Sequence, residues 1–101
     1  MNLSGIKTML GFAAKAGKLT SGETGSRAAI TKKRAKLVIL AEDAALSTEK
    51  EFQMLAERHQ IPVIQMMTMQ DLGMAIGKSN RSVLAILDKG FATQIKIKMD
   101  D

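Results

Sequence analysis

Two polar segments of the chain contain the residue types that bind phosphate groups. The first is TSGETGSR at residues 20–27, where a strand is predicted to turn into a helix. Its two glycines let the backbone approach a ligand closely, and the first N–H groups of a helix have no partners within that helix. Such a helix start suits an anion. The candidate contacts in this segment are Ser21, Gly22, Glu23, Thr24, Gly25 and Arg27.

The second segment is KSNRSV at residues 78–83, a polar loop that leads into an apolar strand. Arg81 has the charge to bind a phosphate and the planar group to stack on a base, and Val83 could pack against one. The candidate contacts in this segment are Lys78, Arg81, Ser82 and Val83. Each segment by itself also fits a purely structural role, either as an ordinary turn between a strand and a helix or as a surface loop.

A third basic group follows the predicted second helix and consists of Lys32, Lys33, Arg34 and Lys36. The helix dipole favours cations at that end, which is a sufficient structural explanation, and contacts with phosphate would be additional. The formal net charge of +5 is unevenly distributed, because residues 1–40 hold eight basic groups and one acid, whereas residues 41–101 hold seven and nine. This asymmetry indicates a polyanionic partner met mainly by the first half, although a merely solvated basic surface would have the same composition.

The sequence offers no arrangement typical of catalysis or metal binding. His59 is the single histidine and there is no cysteine, whereas a metal site needs several clustered ligands. Glu42 and Asp43 are neighbours at the end of a predicted strand, so their side chains point to opposite faces and suit loop ordering better than acid–base chemistry. We therefore expect no enzyme, no metal, no cofactor and no small-molecule substrate.

The length and composition indicate one domain, residues 1–101, outside any membrane. The 101 residues suffice for one hydrophobic core. There is no apolar run of about 18 residues and no secretory signal at the start. A chain without cysteine suits the reducing cytoplasm, which is the location we expect.

Hydrophobic periodicity alternates between strand and helix patterns along the chain. Strands are predicted at Lys18–Thr20, 36–41, Val63–Met67 and Val83–Leu87. Helices are predicted from Leu3 to Gly17, from a Ser21 cap to about Thr31, from Ser47 or Thr48 with a Thr48–Glu51 capping box, from a Thr68 cap, and from Asp88. This alternation predicts an α/β fold, a three-layer α/β/α sandwich. The two polar segments and AEDAAL, after the second strand, would then meet at one end of the sheet.

The chain resembles the kink-turn-binding ribosomal proteins, the superfamily of archaeal large-subunit protein seven-Ae and eukaryotic large-subunit protein thirty-e, and in particular its short bacterial YlxQ-type members. The runs that carry the resemblance are KAGKLTSGE, AKLVILAEDA, IPVIQM, DLGMAIGKSNRSVLAIL and DKGFA. The resemblance implies a four-stranded mixed sheet and a ribosomal or translation-associated protein. It also implies binding to kink-turn RNA, a sharply bent duplex with tandem sheared G·A pairs and an extruded nucleotide.

The resemblance also assigns roles to individual positions. In that family a Gly-x-Asn-Glu-x-x-Lys pattern at the start of the second helix reads the G·A pairs. Gly22 matches its glycine, whereas Thr24, Gly25 and Ala28 replace the Asn, Glu and Lys. Arg27 lies one residue before the usual lysine, which places it about 100° away around a helix.

In the family's loop that clamps the extruded nucleotide, Arg81 matches a basic position, Val83 keeps the apolar character, and Ser82 replaces a common valine. Ala45 stands where some relatives carry a glutamate that contacts the extruded base. The missing family residues favour one alternative, a protein-interaction module on the same fold. A second alternative treats GETG as the Gly-x-x-Gly loop of a KH-type RNA binder, but that loop joins two helices, and here a strand is predicted before it.

Overall fold

The computed structural model describes residues 1–101 as five helices and four strands in alternation. The helices are α1 (Leu3–Lys15), α2 (Glu23–Thr31), α3 (Leu46–Arg58), α4 (Met69–Ala75) and α5 (Lys89–Asp100). The strands are β1 (Leu19–Ser21), β2 (Leu37–Leu40), β3 (Val63–Gln65) and β4 (Val83–Ile86). Every predicted element is present, with boundaries that differ from the prediction by one to two residues. None of the helices has the length and apolar character needed to cross a bilayer.

The four strands form one mixed sheet in the order β1-β4-β2-β3. Strand β4 is antiparallel to both β1 and β2, whereas β2 and β3 are parallel. Because β4 runs against its two neighbours, its first residues lie beside the last residues of β1 and β2. The register pairs Leu84 with Ser21 and Val83 with Leu40.

Helices cover both faces of the sheet, which confirms the α/β/α sandwich. Side chains along β2 alternate between the two faces, as the strand geometry requires. Leu37 and Ile39 belong to a core with α1, α4 and α5, while Val38 and Leu40 belong to a second core with α2 and α3. All four residues are completely buried. This accounts for the continuous apolar run of the strand, since both of its faces are covered.

The cap predicted at Thr68 and the helix start predicted at Asp88 are present, and two predicted caps were wrong. Thr68 accepts a hydrogen bond from the Asp71 amide at 3.1 Å, and Asp88 caps α5 in the same way. Ser21, predicted to cap α2, is the last residue of β1, and Gly22 occupies the cap position instead. Thr48 was predicted to begin α3 in a capping box, but α3 begins two residues earlier and Thr48 is buried against α2. In both cases a tertiary contact takes the side chain that local capping would have used.

Candidate functional site

A polar cleft of about 360 Å³ lies at the end of the sheet where β1 ends and β4 begins. A backbone hydrogen bond from the Gly22 amide to the Val83 carbonyl joins the two segments there, and one from the Ala41 amide, after β2, to the Ser82 carbonyl holds the second segment. No apolar residue lines the cleft. Its lining consists of Ser21, Gly22, Glu23, Thr24, Gly25, Asn80, Arg81 and Ser82. The structure therefore brings together seven of the ten residues selected from the sequence and adds Asn80.

The start of α2 forms one wall of the cleft. Gly22 has a φ of 87°, a backbone conformation that residues with a Cβ rarely adopt, and it turns the chain directly from β1 into α2. No side chain caps the helix. The first amides of α2 consequently have no partner within the helix and lie at its positive end. This wall can donate hydrogen bonds to an anion or to the acceptor edge of a base.

The opposite wall carries Arg81, whose guanidinium is held by its neighbours. Its Nε donates to Ser21 Oγ at 3.1 Å, and its Nη1 donates to Ser79 Oγ at 2.9 Å and to the carbonyls of Ser79 and Asn80. Nη2 makes no hydrogen bond within the protein, and no carboxylate lies within ion-pair distance of Arg81. Arg81 therefore presents to the cleft an oriented positive charge that is not paired with a carboxylate. The entropic cost of ordering its side chain is already met in the free protein.

The loop that carries Arg81 is placed by a close crossing over α4. A Cβ at Gly73 would overlap the Ser79 carbonyl and would lie 3.0 Å from the Lys78 carbonyl oxygen. The Lys78 amide donates to the Gly73 carbonyl at 2.8 Å, and the Arg81 amide donates to the Met69 carbonyl at 3.0 Å. Glycine at position 73 thus permits the close contact between α4 and this loop, and that contact fixes the position of the loop.

A second close contact lies below the α2 wall, between Thr20 of β1 and Gly25. A Cβ at position 25 would overlap Thr20 Oγ1 and would lie 3.7 Å from Thr20 Cβ. Thr20 therefore fills the space into which a side chain at position 25 would begin. This contact gives a physical reason for the glycine at a position where the resembling family usually has a glutamate.

Arg27 points away from the cleft and binds α3. Its Nε donates to Glu51 at 2.6 Å and its Nη2 donates to the other carboxylate oxygen at 3.0 Å, while its guanidinium lies 5.6 Å from the centre of the Phe52 ring. The hydrogen bonds from Arg27 hold the pKa of Glu51 below its usual value, and the same bonds raise the pKa of Arg27. Glu23, a residue of the cleft lining, contributes a longer ion pair to Arg27 at 3.8 Å.

Two other candidates also lie outside the cleft. Val83 is completely buried in the core beneath α2 and α3, so its side chain has no surface with which to contact a ligand. Lys78 is exposed but lines a different depression, between α1 and the end of α4.

Asp43, expected to order a loop, accepts a hydrogen bond from the Met69 amide at 2.8 Å. The AEDAAL segment is thus hydrogen-bonded through Asp43 to the start of α4, and none of its residues lines the cleft.

Residues 4–96 match the ribosomal protein L7Ae/L30e/S12e/Gadd45 family, and the chain belongs to this family. The resemblance stated from the sequence is therefore confirmed. The RNA-binding protein YlxQ of Bacillus subtilis (strain 168) is 37% identical over 92 residues, which cover 91% of this chain and 92% of the relative. The protein of the same name from Enterococcus faecium is 34% identical over 88 residues, which cover 87% and 84% of the two chains.

Solved structures agree with this assignment. A Bacillus halodurans C protein described as having unknown function superposes with a TM-score of 0.90 and 35% identity, covering 95% of this chain and 97% of that chain. A 15.5 kD RNA binding protein of Giardia lamblia superposes with a TM-score of 0.82 at 17% identity, covering 96% and 83%. The second likeness establishes the shared fold alone.

Proposed function

We propose that this chain is a non-enzymatic protein that binds structured RNA through the cleft between α2 and the Arg81 loop. The observation that carries the proposal is the oriented guanidinium of Arg81 facing the uncapped start of α2 across a wholly polar cleft. Two relatives of nearly the same length are named RNA-binding proteins, which supports RNA as the ligand. A ribosome- or translation-associated role in the cytoplasm is part of the proposal, supported by the family's ribosomal members.

Two sets of groups in the cleft would contact different parts of the RNA. The amides of α2 and the Arg81 guanidinium are suited to phosphate oxygens, which position an RNA without reading its sequence. The hydroxyls of Thr24 and Ser82 and the amide group of Asn80 supply both donors and acceptors, as contacts to exposed base edges require. Sequence-specific recognition of RNA usually targets unstacked bases, which an irregular or bent duplex provides.

Recognition of kink-turn RNA is the finer form of this proposal. The family's residues that read the G·A pairs are replaced at Thr24, Gly25 and Ala28, and Arg27 is bound to Glu51 instead of facing the cleft. Thr24 on one wall and Asn80 on the other still supply hydrogen-bonding groups to the cleft, so we expect a preference for a kinked duplex with fewer direct base contacts. The free energy of preference for the kinked duplex should consequently be smaller than the total free energy of binding. Most of the total comes from phosphate contacts.

The test is a titration of the protein against a kink-turn duplex and against the same duplex with its G·A pairs replaced by Watson–Crick pairs. Each titration is carried out at two salt concentrations, because affinity for phosphate falls steeply with salt. A preference of about tenfold, equivalent to about 1.4 kcal/mol, supports kink-turn recognition. Equal affinity for the two duplexes would contradict it while leaving RNA binding itself in place.

Three variants assign the binding to the cleft. Arg81→Ala should weaken binding to the kinked duplex by about tenfold or more, since a hydrogen bond that involves a charged group is worth roughly 1.5–3 kcal/mol. Arg81→Lys retains the charge but not the planar guanidinium, so its affinity should lie between those of Arg81→Ala and the parent protein. Lys96→Ala removes the same charge from an exposed position on α5 and should change the affinity little. Equal effects of the alanine variants at 81 and 96 would refute the cleft as the RNA surface.

A protein-interaction module on the same fold is the second candidate. It is favoured by the ion pair that withdraws Arg27 from the cleft, together with the replaced family residues. It predicts no difference between RNA shapes and a stoichiometric protein partner that remains bound at high salt. Recovery of RNA alone when the tagged protein is purified from cells would rule this candidate out.

A further inference from the structure

We propose that the chain has a second RNA-binding surface at the opposite end of the sheet from the cleft, where it would hold the phosphate backbone of a second RNA segment. This basic pole is formed by Lys32, Lys33, Arg34 and Lys36, in the connection from α2 to β2. All four side chains are exposed, and none lies within ion-pair distance of a carboxylate. The proposal does not depend on the cleft.

The topology separates the basic pole from the cleft by the full length of the central strands. The Lys36 amide donates to the carbonyl of Ile86, the last residue of β4, whereas the Arg81 loop precedes the first residue of β4. From Lys36 to Ala41, beside the cleft, β2 and its flanks advance five residues, or roughly 16 Å at about 3.3 Å per residue. The whole molecule measures 29 × 25 × 24 Å. The two surfaces therefore lie at opposite ends of the sheet, separated by the length of its central strands.

A depression of about 270 Å³ lies within the basic pole. Lys33 and Lys36 line one side of it, and His59 and Gln60, at the end of α3, line the other. No carboxylate lines this depression. Its charge is thus entirely positive, and the half-buried His59 ring adds a polar donor or acceptor beside the two ammonium groups.

The helix dipole does not account for this group of cations. Lys32 is the C-cap of α2, and the dipole can account for its charge, but Lys33, Arg34 and Lys36 lie beyond the helix, whose last turn contains no basic residue. Lys33 has a φ of 60°, in the left-handed region that glycine adopts readily and a residue with a Cβ does not. A lysine in place of the conformationally favoured glycine puts a charged side chain on the rim of the depression.

The expected partner is RNA because the surface is exposed, carries four cationic side chains and has no carboxylate in its depression. Such a surface neutralises phosphates and carries no information about sequence. Together with the cleft, it would let one protein hold two helical segments of a folded RNA. An anionic membrane is another polyanion that could use this surface, and it is separated from RNA by the experiment below.

The test compares Lys33→Gln/Lys36→Gln with a matched control, Lys50→Gln/Lys96→Gln, which removes the same charge from exposed positions on α3 and α5. The probe is a straight Watson–Crick RNA duplex, titrated at several salt concentrations. Loss of two phosphate contacts should lower the slope of log K against log salt by between about one and two, and should weaken binding by about tenfold at low salt. Equal behaviour of the two double variants would refute the basic pole.

Three further measurements separate this proposal from a membrane surface and from the cleft. The comparison is repeated on an Arg81→Ala background, where a loss specific to the 33/36 variant is still expected, whether or not the cleft binds RNA. The Lys33→Gly variant keeps the backbone in a conformation suited to glycine, so weaker duplex binding by a fully folded Lys33→Gly protein supports the pole directly. Binding to phosphatidylserine vesicles that is lost in the 33/36 variant, with duplex binding unchanged, would overturn the proposal in favour of a membrane surface.

Discussion

A methyl group at position 25 should destabilise the protein only while Thr20 is present. Gly25 is the third residue of α2, and its missing side chain leaves room for Thr20 Oγ1 of β1. In Gly25→Ala the new Cβ would overlap that hydroxyl but would remain at an ordinary distance, 3.7 Å and 3.9 Å, from Thr20 Cβ and Cγ2. Truncation to Thr20→Ala removes the overlapping atom and keeps the Cβ that is in normal contact.

The magnitude follows from two opposing effects. Replacing a helical glycine with alanine stabilises by about 0.5–1 kcal/mol, because alanine loses less backbone freedom on folding. Overpacking against Thr20 costs about 1–3 kcal/mol, since a β-branched side chain between a strand and a helix has few rotamers to escape into. Gly25→Ala alone should therefore lower the free energy of unfolding by about 1 kcal/mol, between roughly 0 and 2.5. On the Thr20→Ala background it should raise it by about 0.5–1 kcal/mol.

The assay is urea unfolding followed by far-ultraviolet circular dichroism, since the chain has no Trp or Tyr. The four proteins of the Thr20/Gly25 double-mutant cycle yield a coupling free energy, expected at about 1–3 kcal/mol. Gly11→Ala is the control, because its new Cβ would lie 3.3 Å from the Ala75 carbonyl, far from Thr20, and its effect should be the same on both backgrounds. A coupling below about 0.5 kcal/mol would refute the packing argument for glycine at position 25.

Three other changes test the elements that support the two surfaces. Gly73→Ala should destabilise by about 1–3 kcal/mol and weaken RNA binding with it, because the new Cβ would displace the loop that carries Arg81; unchanged stability in urea unfolding would contradict the close crossing. Gln60→Gly should stabilise by about 0.5–1 kcal/mol, since the φ of 58° there suits glycine, and a lower thermal midpoint would count against that reading. Glu51→Gln should lower stability at pH 7, and the difference should shrink as the pH falls below about 4.5, because a carboxyl with a depressed folded-state pKa stabilises fully above its unfolded pKa of about 4.5 and ceases to do so as pH falls through the folded value. Unfolding of Glu51→Gln and the parent chain at pH 7 and at a series of acidic pH values checks that sign, and a stability difference that does not shrink on acidification would show that the Arg27 ion pair is not its source.

Local signals in the sequence were sufficient for the elements and insufficient for two of their caps. Thr68 caps its helix as predicted, and Asp88, predicted to begin α5, caps it; both oxygens accept from an amide three residues further along the chain. Ser21 and Thr48 have the same local propensity, but Ser21 accepts a hydrogen bond from Arg81, sixty residues away, and Thr48 donates to Glu23 at 3.5 Å. Such partners cannot be read from residue spacing, since they depend on how the sheet brings distant segments together.

The candidate site shows the same division. Spacing and residue type selected the polar segments at 20–27 and 78–83, and both do meet at one end of the sheet. The individual side chains were less predictable. Arg27 has the same residue type as Arg81, yet one is bound to Glu51 on α3 and the other faces the cleft. Asn80 was not selected because a single asparagine in a polar loop carries no distinctive pattern.

The sequence by itself determined the α/β class, the order of the nine elements, the uneven distribution of charge and the family, because each of these depends on periodicity, composition or a run of neighbouring residues. The antiparallel register of β4, which sets Ser21 beside Leu84, was decided only in the tertiary structure. The same register places the Arg81 loop at one end of the sheet and Lys36 at the other. Two arginines of equal intrinsic chemistry consequently differ in role, since the direction and partners of a side chain depend on residues that are distant in the chain and adjacent only after folding.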